Sequence, residues 1–336
     1  MQPNRRQTLI GTSAAALMLA LGGKDKAFAD TPIKGDGGTV RLMVNMASTQ
    51  IFPPAIITQR GLDQKYGFKL ETIPTTNTQT TTTGFQTHSA EIGLYGWIDL
   101  SRVKAGGVKV IGIVPFLNWV NTVVVPADSP IKTLADMKGK NIGLFSRTGL
   151  DWSVMRAAAQ KKFDLDLEAS VNMQEGAVSL LRGLLEQGKL DATLMFGDVT
   201  APMIVGGKFR VLATVQDYVN QLEVPNAPYL LYTVDTDYAA SHPGNVMGFA
   251  SAYREAIDVL MTDDSVWAPL AKPLNMTDDA VVTELRTRMR PQFMKSFAPN
   301  AEANCRKMWE ILVATAGADR LGSIPLVDGF MTLQYQ

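Results

Sequence analysis

The residues with the clearest chemical potential are Ser146-Arg147-Thr148-Gly149, which follow one predicted strand and precede a predicted helix. Hydroxyls and free backbone N–H groups at a helix start attract anions, because the helix dipole places partial positive charge there. Arg147 could add a two-pronged contact to a sulfonate, phosphate or carboxylate. The alternative interpretation is that Thr148 only caps the helix and that Arg147 points into solvent.

Aromatic and polar side chains also gather in other segments near the ends of predicted strands. Ligands of open α/β sheets bind beyond the carboxyl ends of the strands, so these segments are candidate sites. Aromatic walls suit a flat or apolar ligand body, whereas core packing is the alternative role for Trp97, Trp119 and Trp152. Asp99 and Asp198 could bind an amine, although helix capping or a surface role is the favoured interpretation. The expected ligand-binding set is Ser48, Thr49, Gln50, Tyr95, Gly96, Trp97, Asn118, Trp119, Ser146, Arg147, Thr148, Trp152, Phe196 and Asp198.

Composition argues against several other kinds of site. The 336 residues carry 32 basic and 32 acidic side chains, and this neutral total disfavours nucleic acid as the main partner. One Cys and two distant His exclude a disulfide framework and leave little for a metal site, so no metal, cofactor or catalytic residue is expected. Lys140 and Lys208 are not followed by Ser or Thr, so the phosphate-loop pattern fails. Cys305 falls on the apolar stripe of a predicted helix and is interpreted as core.

Residues 1–29 have the pattern of an export signal. Arg5 and Arg6 precede an apolar stretch, residues 9–23, whose helix would span about 22 Å, less than a hydrocarbon core of about 30 Å. Residues 27–29 (AFA) resemble a signal-peptidase site. The paired arginines favour the twin-arginine route, with an ordinary secretory signal as the alternative. The sequence therefore predicts a signal peptide and a mature protein that is soluble in the periplasm without a lipid anchor.

The rest of the chain alternates predicted strands and helices. A helix is predicted from about Leu150, and two long apolar stripes later in the chain, one with Tyr253 and one with Cys305, predict further helices. This alternation predicts an α/β fold with mostly parallel sheets. The strands are predicted to begin near Val40, Phe68, Val108, Trp119, Ile142, Ala192, Arg210 and Tyr229.

An internal repeat indicates two lobes. Residues 85–94 align with residues 185–194, and each copy ends a helix, turns, places a carboxylate and starts a strand. Each strand then runs into a glycine and an aspartate.

With these elements in place, the chain resembles the periplasmic substrate-binding proteins of ABC importers, in the group that binds sulfonates, taurine, nitrate and thiamine-precursor pyrimidines. The resemblance covers nearly all of residues 40–336, and residues 188–192 also fit it. The first copy of the repeat departs from the family at His88 and Glu91, where the family usually has Gly and Asp. The matching segments are QRGLDQKYGF (59–68), AGGVKV (105–110) and DSPIKTLADMKGKNIG (128–143).

The resemblance implies a type II periplasmic binding protein fold, with two α/β lobes joined by a two-segment hinge and a ligand held in the cleft. Lobe 1 is expected at residues 38–120 plus 216–336, and lobe 2 at residues 121–215, with hinges near 115–122 and 213–220. It implies a monomeric, non-enzymatic component that delivers a small organic anion, a sulfonate or carboxylate, to an ABC permease in the inner membrane. The alternatives are a neutral pyrimidine-like thiamine precursor as ligand, or an enzyme on the same fold.

Overall fold

The computed structural model describes residues 34–317, 321 and 326–336, and the predicted signal peptide lies outside them. Apolar and β-branched runs form most of the strands, as predicted. The strands are β1 (Thr39–Val44), β2 (Lys69–Pro74), β3 (Ile92–Gly96), β4 (Val110–Leu117), β5 (Thr122–Pro126), β6 (Asn141–Leu144), β7 (Asn172–Glu175), β8 (Ala192–Met195), β9 (Phe209–Thr214) and β10 (Leu230–Asp235).

Helices connect these strands and cover the sheets. Pro53 and Pro54 lie in the first turn of α1, where backbone N–H groups have no partner within the helix, so that proline costs no hydrogen bond there. The helices are α1 (Phe52–Gln59), α2 (Leu62–Lys65), α3 (Thr78–Gln86), α4 (Trp97–Ala105), α5 (Leu150–Phe163), α6 (Leu167–Ser170), α7 (Val178–Glu186), α8 (Gly197–Ile204), α9 (Val215–Gln221), α10 (Thr236–Ser241), α11 (Pro243–Thr262), α12 (Trp267–Ala271), α13 (Asp279–Met289) and α14 (Ala301–Ala316).

The strands form two five-stranded sheets with matching topology, in the orders β2-β1-β3-β10-β4 and β7-β6-β8-β5-β9. In each sheet four strands run in one direction, and the fifth, β10 or β5, runs antiparallel between two of them. We call the first sheet with its helices lobe 1 and the second lobe 2. The predicted α/β, two-lobed, mostly parallel fold is confirmed.

Two segments connect the sheets and are tied to one another. Residues 118–121 link β4 to β5, and residues 215–229, which include α9, link β9 to β10. Trp119 is predicted to begin a strand but lies in the first connection. Its backbone N–H donates to Gln216 Oε1 at 3.2 Å, and its indole N–H donates to the Ala227 carbonyl at 3.0 Å. These bonds to the second connection hold Trp119 away from the β5 ladder.

The repeat predicted from the sequence is also a structural repeat, running from α3 to β3 and from α7 to β8. His88 and Gly188 occupy the same turn position, both in the left-handed region with φ of 52° and 68°. Glu91 Oε2 accepts a backbone N–H of β1 at 2.6 Å, and Asp191 Oδ2 accepts one of β6 at 2.8 Å. The two departures from the family pattern, His88 and Glu91, therefore keep the geometry of the second copy.

The C-terminal third contacts both lobes. α11 packs against α1 and α2, but α13 also contacts α8, and α14 lies against α5. The stripe of Cys305, Met308 and Leu312 on α14 is buried in the same apolar cluster as Met155 and Ala158 of α5. Residues predicted to pack on lobe 1 thus also pack on lobe 2, because the α14 stripe finds its apolar partner there.

Within the described ranges, no helix is both long enough and apolar enough to cross a membrane. In the same part of the chain, no group of three or more His, Cys, Asp or Glu side chains is arranged to hold a metal ion. Cys305 is a free, buried thiol, and burial raises its pKa well above the ordinary value.

Candidate functional site

A continuous cleft lies where the strand ends of the two lobes meet. Two cavities, of about 210 and 310 Å³, share Asn45, Gln50, Tyr229 and Leu230 in their walls. The walls come from the ends of β1 to β4 and the segments after them in lobe 1, and from the start of α5 and the segment after β8 in lobe 2. This space suits a small molecule, since ligand pockets usually measure several hundred cubic ångströms.

The loop after β1 forms the part of the wall where the two cavities join. Gln50 Oε1 accepts the backbone N–H of Asn45 at 3.0 Å, and Ser48 Oγ accepts the backbone N–H of Gln50 at 3.3 Å. Ser48 thereby caps the short 3₁₀ helix that begins at Thr49. The loop is stiffened by its own side chains, and the Gln50 amide nitrogen meets no partner among the described residues, so it is available to a ligand.

Hydroxyl and amide groups line the smaller cavity. Tyr95 is buried in β3, stacks on Phe85 with ring centroids 6.0 Å apart, and shares a 2.9 Å hydrogen bond with Thr82 Oγ1. These contacts fix its ring in the wall. The segment around the start of α3 adds Thr75, Thr76, Asn77, Thr78 and Thr81.

The lobe 2 wall combines an exposed aromatic ring with a carboxylate. Phe196 is 42% exposed and stacks on Phe145 with ring centroids 4.2 Å apart. Asp198 follows in the first turn of α8, and its Oδ2 accepts the backbone N–H of Thr49 at 3.4 Å. Asp198 therefore bridges the two lobes.

Three helices begin at or beside the cleft without a side-chain cap. They are α4, α5 and α8, which follow Gly96, Gly149 and Phe196. Each has an aspartate in its first turn: Asp99, Asp151 and Asp198. Burial raises the pKa of all three carboxyls, to about 6 for Asp151, and Arg102 opposes the rise at Asp99.

A buried polar cluster lies behind the cleft wall. Asn121, which lines the larger cavity, donates from Nδ2 to Asp151 Oδ2 at 3.0 Å. The second oxygen, Asp151 Oδ1, is buried without a hydrogen-bond partner in the described structure. Tyr229 lines both cavities and packs on Trp119 with ring centroids 4.9 Å apart. Burial is the first cause that raises the Tyr229 pKa, and the charges of Asp151 and Asp99 add to it.

The charge of the cleft is acidic. Among the described residues, no Lys, Arg or His lines either cavity, whereas Asp99 lines one and Asp198 the other. The positive ends of α4, α5 and α8 already face carboxylates of their own first turns. The cleft therefore offers hydrogen-bonding groups and negative charge rather than cations.

The structure brings half of the expected site residues together. The residues that line the cleft are Ser48, Thr49, Gln50, Tyr95, Gly96, Phe196 and Asp198. The residues that do not are Trp97, Asn118, Trp119, Ser146, Arg147, Thr148 and Trp152. Ligand contact by this second group stays a prediction.

Packing explains where the second group lies. Trp97, Trp119 and Trp152 are all buried, and Trp97 stacks on Phe330 at 6.4 Å. Arg147 is 48% exposed and pairs with Glu175 across 3.6 Å.

The other polar residues of the second group make hydrogen bonds with one another or with other segments. Ser146 Oγ and Thr148 Oγ1 share a 3.0 Å hydrogen bond, which engages the two hydroxyls with each other. Asn118 donates its backbone N–H to the Gln292 carbonyl at 2.9 Å.

Sequence reasoning did not select Asn45, Asn121 or Tyr229 for the site. Tyr229 comes directly before β10, which runs antiparallel to its neighbours β3 and β4 and therefore begins at the edge of the sheet where they end. Knowing that β10 runs antiparallel would have placed Tyr229 at the cleft, but strand direction is a property of the topology.

A family model and solved structures match this chain, whereas curated proteins do not. The family described as NMT1/THI5 like matches residues 49–265, more than half of the chain. A search of curated proteins by sequence finds no match.

Solved structures share the fold at low identity. SsuA of Escherichia coli, the periplasmic aliphatic sulphonate binding protein, has a TM-score of 0.70 at 18% identity, covering 86% of this chain and 89% of its own. The alkanesulfonate-binding protein SsuA of Xanthomonas axonopodis pv. citri, bound to MOPS, has a TM-score of 0.66 at 17% identity, covering 88% and 98%. A mutant of DszB in complex with biphenyl-2-sulfinic acid has a TM-score of 0.57 at 18% identity, covering 89% and 97%.

Proposed function

The chain belongs to the NMT1/THI5-like family, and on this premise we propose that it is the solute-binding component of an ABC importer. It captures a small organic molecule between its lobes and presents the closed form to a permease. The observation that carries the proposal is the continuous cleft between two sheets of matching topology, bridged by Asp198 and Thr49. A ligand that touches both lobes there stabilises the closed form.

Two further features support this proposal. The sheets are joined by the paired segments 118–121 and 215–229, which can flex as a unit because Trp119 ties one to the other. Both SsuA relatives are binding proteins by name, and one is named as periplasmic. We extend the proposal to a monomer in the periplasm, exported through the signal predicted at residues 1–29.

An enzyme on this fold is the second candidate, because the solved structure of the DszB mutant in complex with biphenyl-2-sulfinic acid shares the fold. The lone thiol of this chain, Cys305, is buried in α14, packed against α5 and away from the cleft walls. A cysteine nucleophile needs access to substrate and must ionise to the thiolate. The raised pKa of Cys305 disfavours the thiolate. The binding role is therefore favoured, and turnover abolished by Cys305→Ala would favour the enzyme.

The test is a thermal-shift screen of the purified protein with sulfonates, carboxylates, nitrate, pyrimidines and amines. A saturating ligand raises stability by about 2.7 kcal/mol at a hundredfold excess over Kd. Small-angle X-ray scattering on the best hit then measures closure. A hit with a smaller radius of gyration supports the proposal, whereas binding without any change in scattering contradicts lobe closure.

A further inference from the structure

We propose that the cleft selects a small organic ammonium compound, whose protonated amine is held by the Asp198 carboxylate at the junction of the lobes. This inference rests on the proposed solute-binding function and names the substrate class of the same site. It differs from the organic anion expected from sequence. Four observations on the cleft carry it.

The first observation is the sign of the charge. No basic side chain of the described residues lines either cavity, and two carboxylates do. An oxyanion placed there would meet negative charge in a partly desolvated wall, where repulsion is stronger than in water. A cation in the same place would be attracted.

The second observation concerns the helix starts that could otherwise hold an anion. The first turns of α4, α5 and α8 contain Asp99, Asp151 and Asp198. Each carboxylate takes the favourable place beside the helix dipole that an external oxyanion would need. The anion sites of these three helices are thus filled by the chain itself.

The third observation is that Asp198 is unpaired. Asp99 meets Arg102 Nη1 at 3.4 Å, whereas no ion pair to Asp198 occurs among the described residues. A third cavity, of about 420 Å³, is lined by both Asp198 and Arg182, but Arg182 pairs with Glu186 at 2.9 Å. Asp198 accepts backbone N–H groups only, including the long 3.4 Å contact with Thr49, so an ammonium group would be its first cationic partner.

The fourth observation is a buried acceptor with nothing to accept. Asp151 is 7% exposed, and its Oδ1 has no partner among the described residues. Asn121, bonded to the other oxygen of Asp151, is itself a wall residue of the larger cavity. Asp151 itself lines neither cavity, so Asn121 is the polar group that this cluster presents to a ligand. The exposed ring of Phe196 beside Asp198 supplies an apolar or cation–π surface for the ligand body.

The experiment uses matched probes that differ only in charge: benzylamine, benzyl alcohol and phenylmethanesulfonate, with butylamine, butanol and butanesulfonate as a second set. Binding to the purified protein is measured by calorimetry and thermal shift at pH 7. In each set we expect the amine to bind most tightly. Asp198→Asn should weaken amine binding about 10- to 100-fold, the range for bonds to charged groups, and weaken alcohol binding much less.

Controls separate charge loss from misfolding. Asp128→Asn removes an exposed carboxylate that follows β5 at the end of the second sheet opposite to the cleft, and should leave all affinities unchanged. Asp99→Asn should weaken amine binding less than Asp198→Asn does, because Asp99 lies beside Arg102. It replaces Asp198→Asn in the test if that variant is unstable. Circular dichroism confirms that each variant is folded.

Two results overturn the inference in distinguishable ways. If a sulfonate binds most tightly and closes the lobes, the solute-binding function stands and the ammonium selectivity falls; the same holds if amine binding survives in both Asp198→Asn and Asp99→Asn. If no probe of any charge and no compound of the wider screen binds, the proposed function itself falls.

Discussion

The backbone N–H of Thr49 in lobe 1 donates to Asp198 Oδ2 in lobe 2 at 3.4 Å, a direct hydrogen bond across the cleft. Thr49 opens the 3₁₀ helix after β1, and Asp198 lies in the first turn of α8. Any movement that separates the lobes at this point breaks the bond. The bond therefore reports the state of the cleft.

We expect Asp198→Ala to shift the ligand-free protein further toward the open form, which ligand binding would otherwise close. Losing one long hydrogen bond should change the free energy of unfolding by no more than about 1 kcal/mol, because both partners then face solvent. The radius of gyration from small-angle X-ray scattering should nevertheless increase. The Asp128→Ala control should leave the radius of gyration unchanged. If Asp198→Ala also leaves it unchanged, this bond does not hold the lobes together.

Asp151→Asn should stabilise the protein in a pH-dependent way. The folded-state pKa of about 6 lies above the ordinary 3.8, so the folded protein binds the proton more tightly. The stabilising contribution of protonated Asp151 to folding is fully present below about pH 4, falls as the pH rises, and is lost above about pH 6. The shift corresponds to about 3 kcal/mol at one pKa unit per 1.36 kcal/mol.

Asparagine cannot ionise and keeps an oxygen for the Asn121 amide. Chemical denaturation should therefore show Asp151→Asn more stable than the parent by about 2–3 kcal/mol at pH 8, with little difference at pH 4. Equal effects at both pH values would argue against an ionised, buried Asp151.

Arg147→Ala should leave ligand binding nearly unchanged. Arg147 pairs with Glu175 and lines neither cavity. We expect the Kd of the best probe to change less than about threefold, whereas loss of a bond to an oxyanion would cost about 1.5–3 kcal/mol. Arg60→Ala, which breaks another exposed ion pair, is the matched control for calorimetry. A tenfold loss confined to Arg147→Ala would restore the oxyanion hypothesis.

His88→Gly should raise the free energy of unfolding by about 0.5–1 kcal/mol. Glycine removes the left-handed strain, about 1–2 kcal/mol, and this gain exceeds the entropic cost of the greater conformational freedom of glycine in the unfolded chain. The reciprocal variant Gly188→His tests the same turn, because a Cβ at Gly188 would meet nothing within 4 Å. Urea denaturation should show that Gly188→His lowers the free energy of unfolding. A change of the same sign in both variants would refute the strain argument.

Most of the fold could be predicted from the sequence, because buried strands carry a strong apolar signal. β7 could not be. Its residues Asn172–Glu175 are mostly exposed at the edge of the second sheet, so burial imposes no pattern on them. Pairing with β6 alone defines this strand.

The site was predictable only in part, for a related reason. Strand ends select loops such as Ser48–Gln50 correctly, but a tryptophan near a strand end suits a core and a cleft equally well. Trp97 and Trp152 went to the core because buried apolar partners surround them. The acidity of the cleft emerges only when residues far apart in the chain, such as Asp99 and Asp198, are brought to one place.

The packing of α14 on α5 has a consequence for how the molecule could be divided. One apolar cluster joins Trp97 and Leu231 of lobe 1 to Leu194 of lobe 2 and to Leu312 of α14. Either lobe produced without the other would leave part of that cluster exposed to water. Neither lobe is therefore an autonomous folding unit, and heating should melt the whole molecule in a single calorimetric transition rather than lobe by lobe.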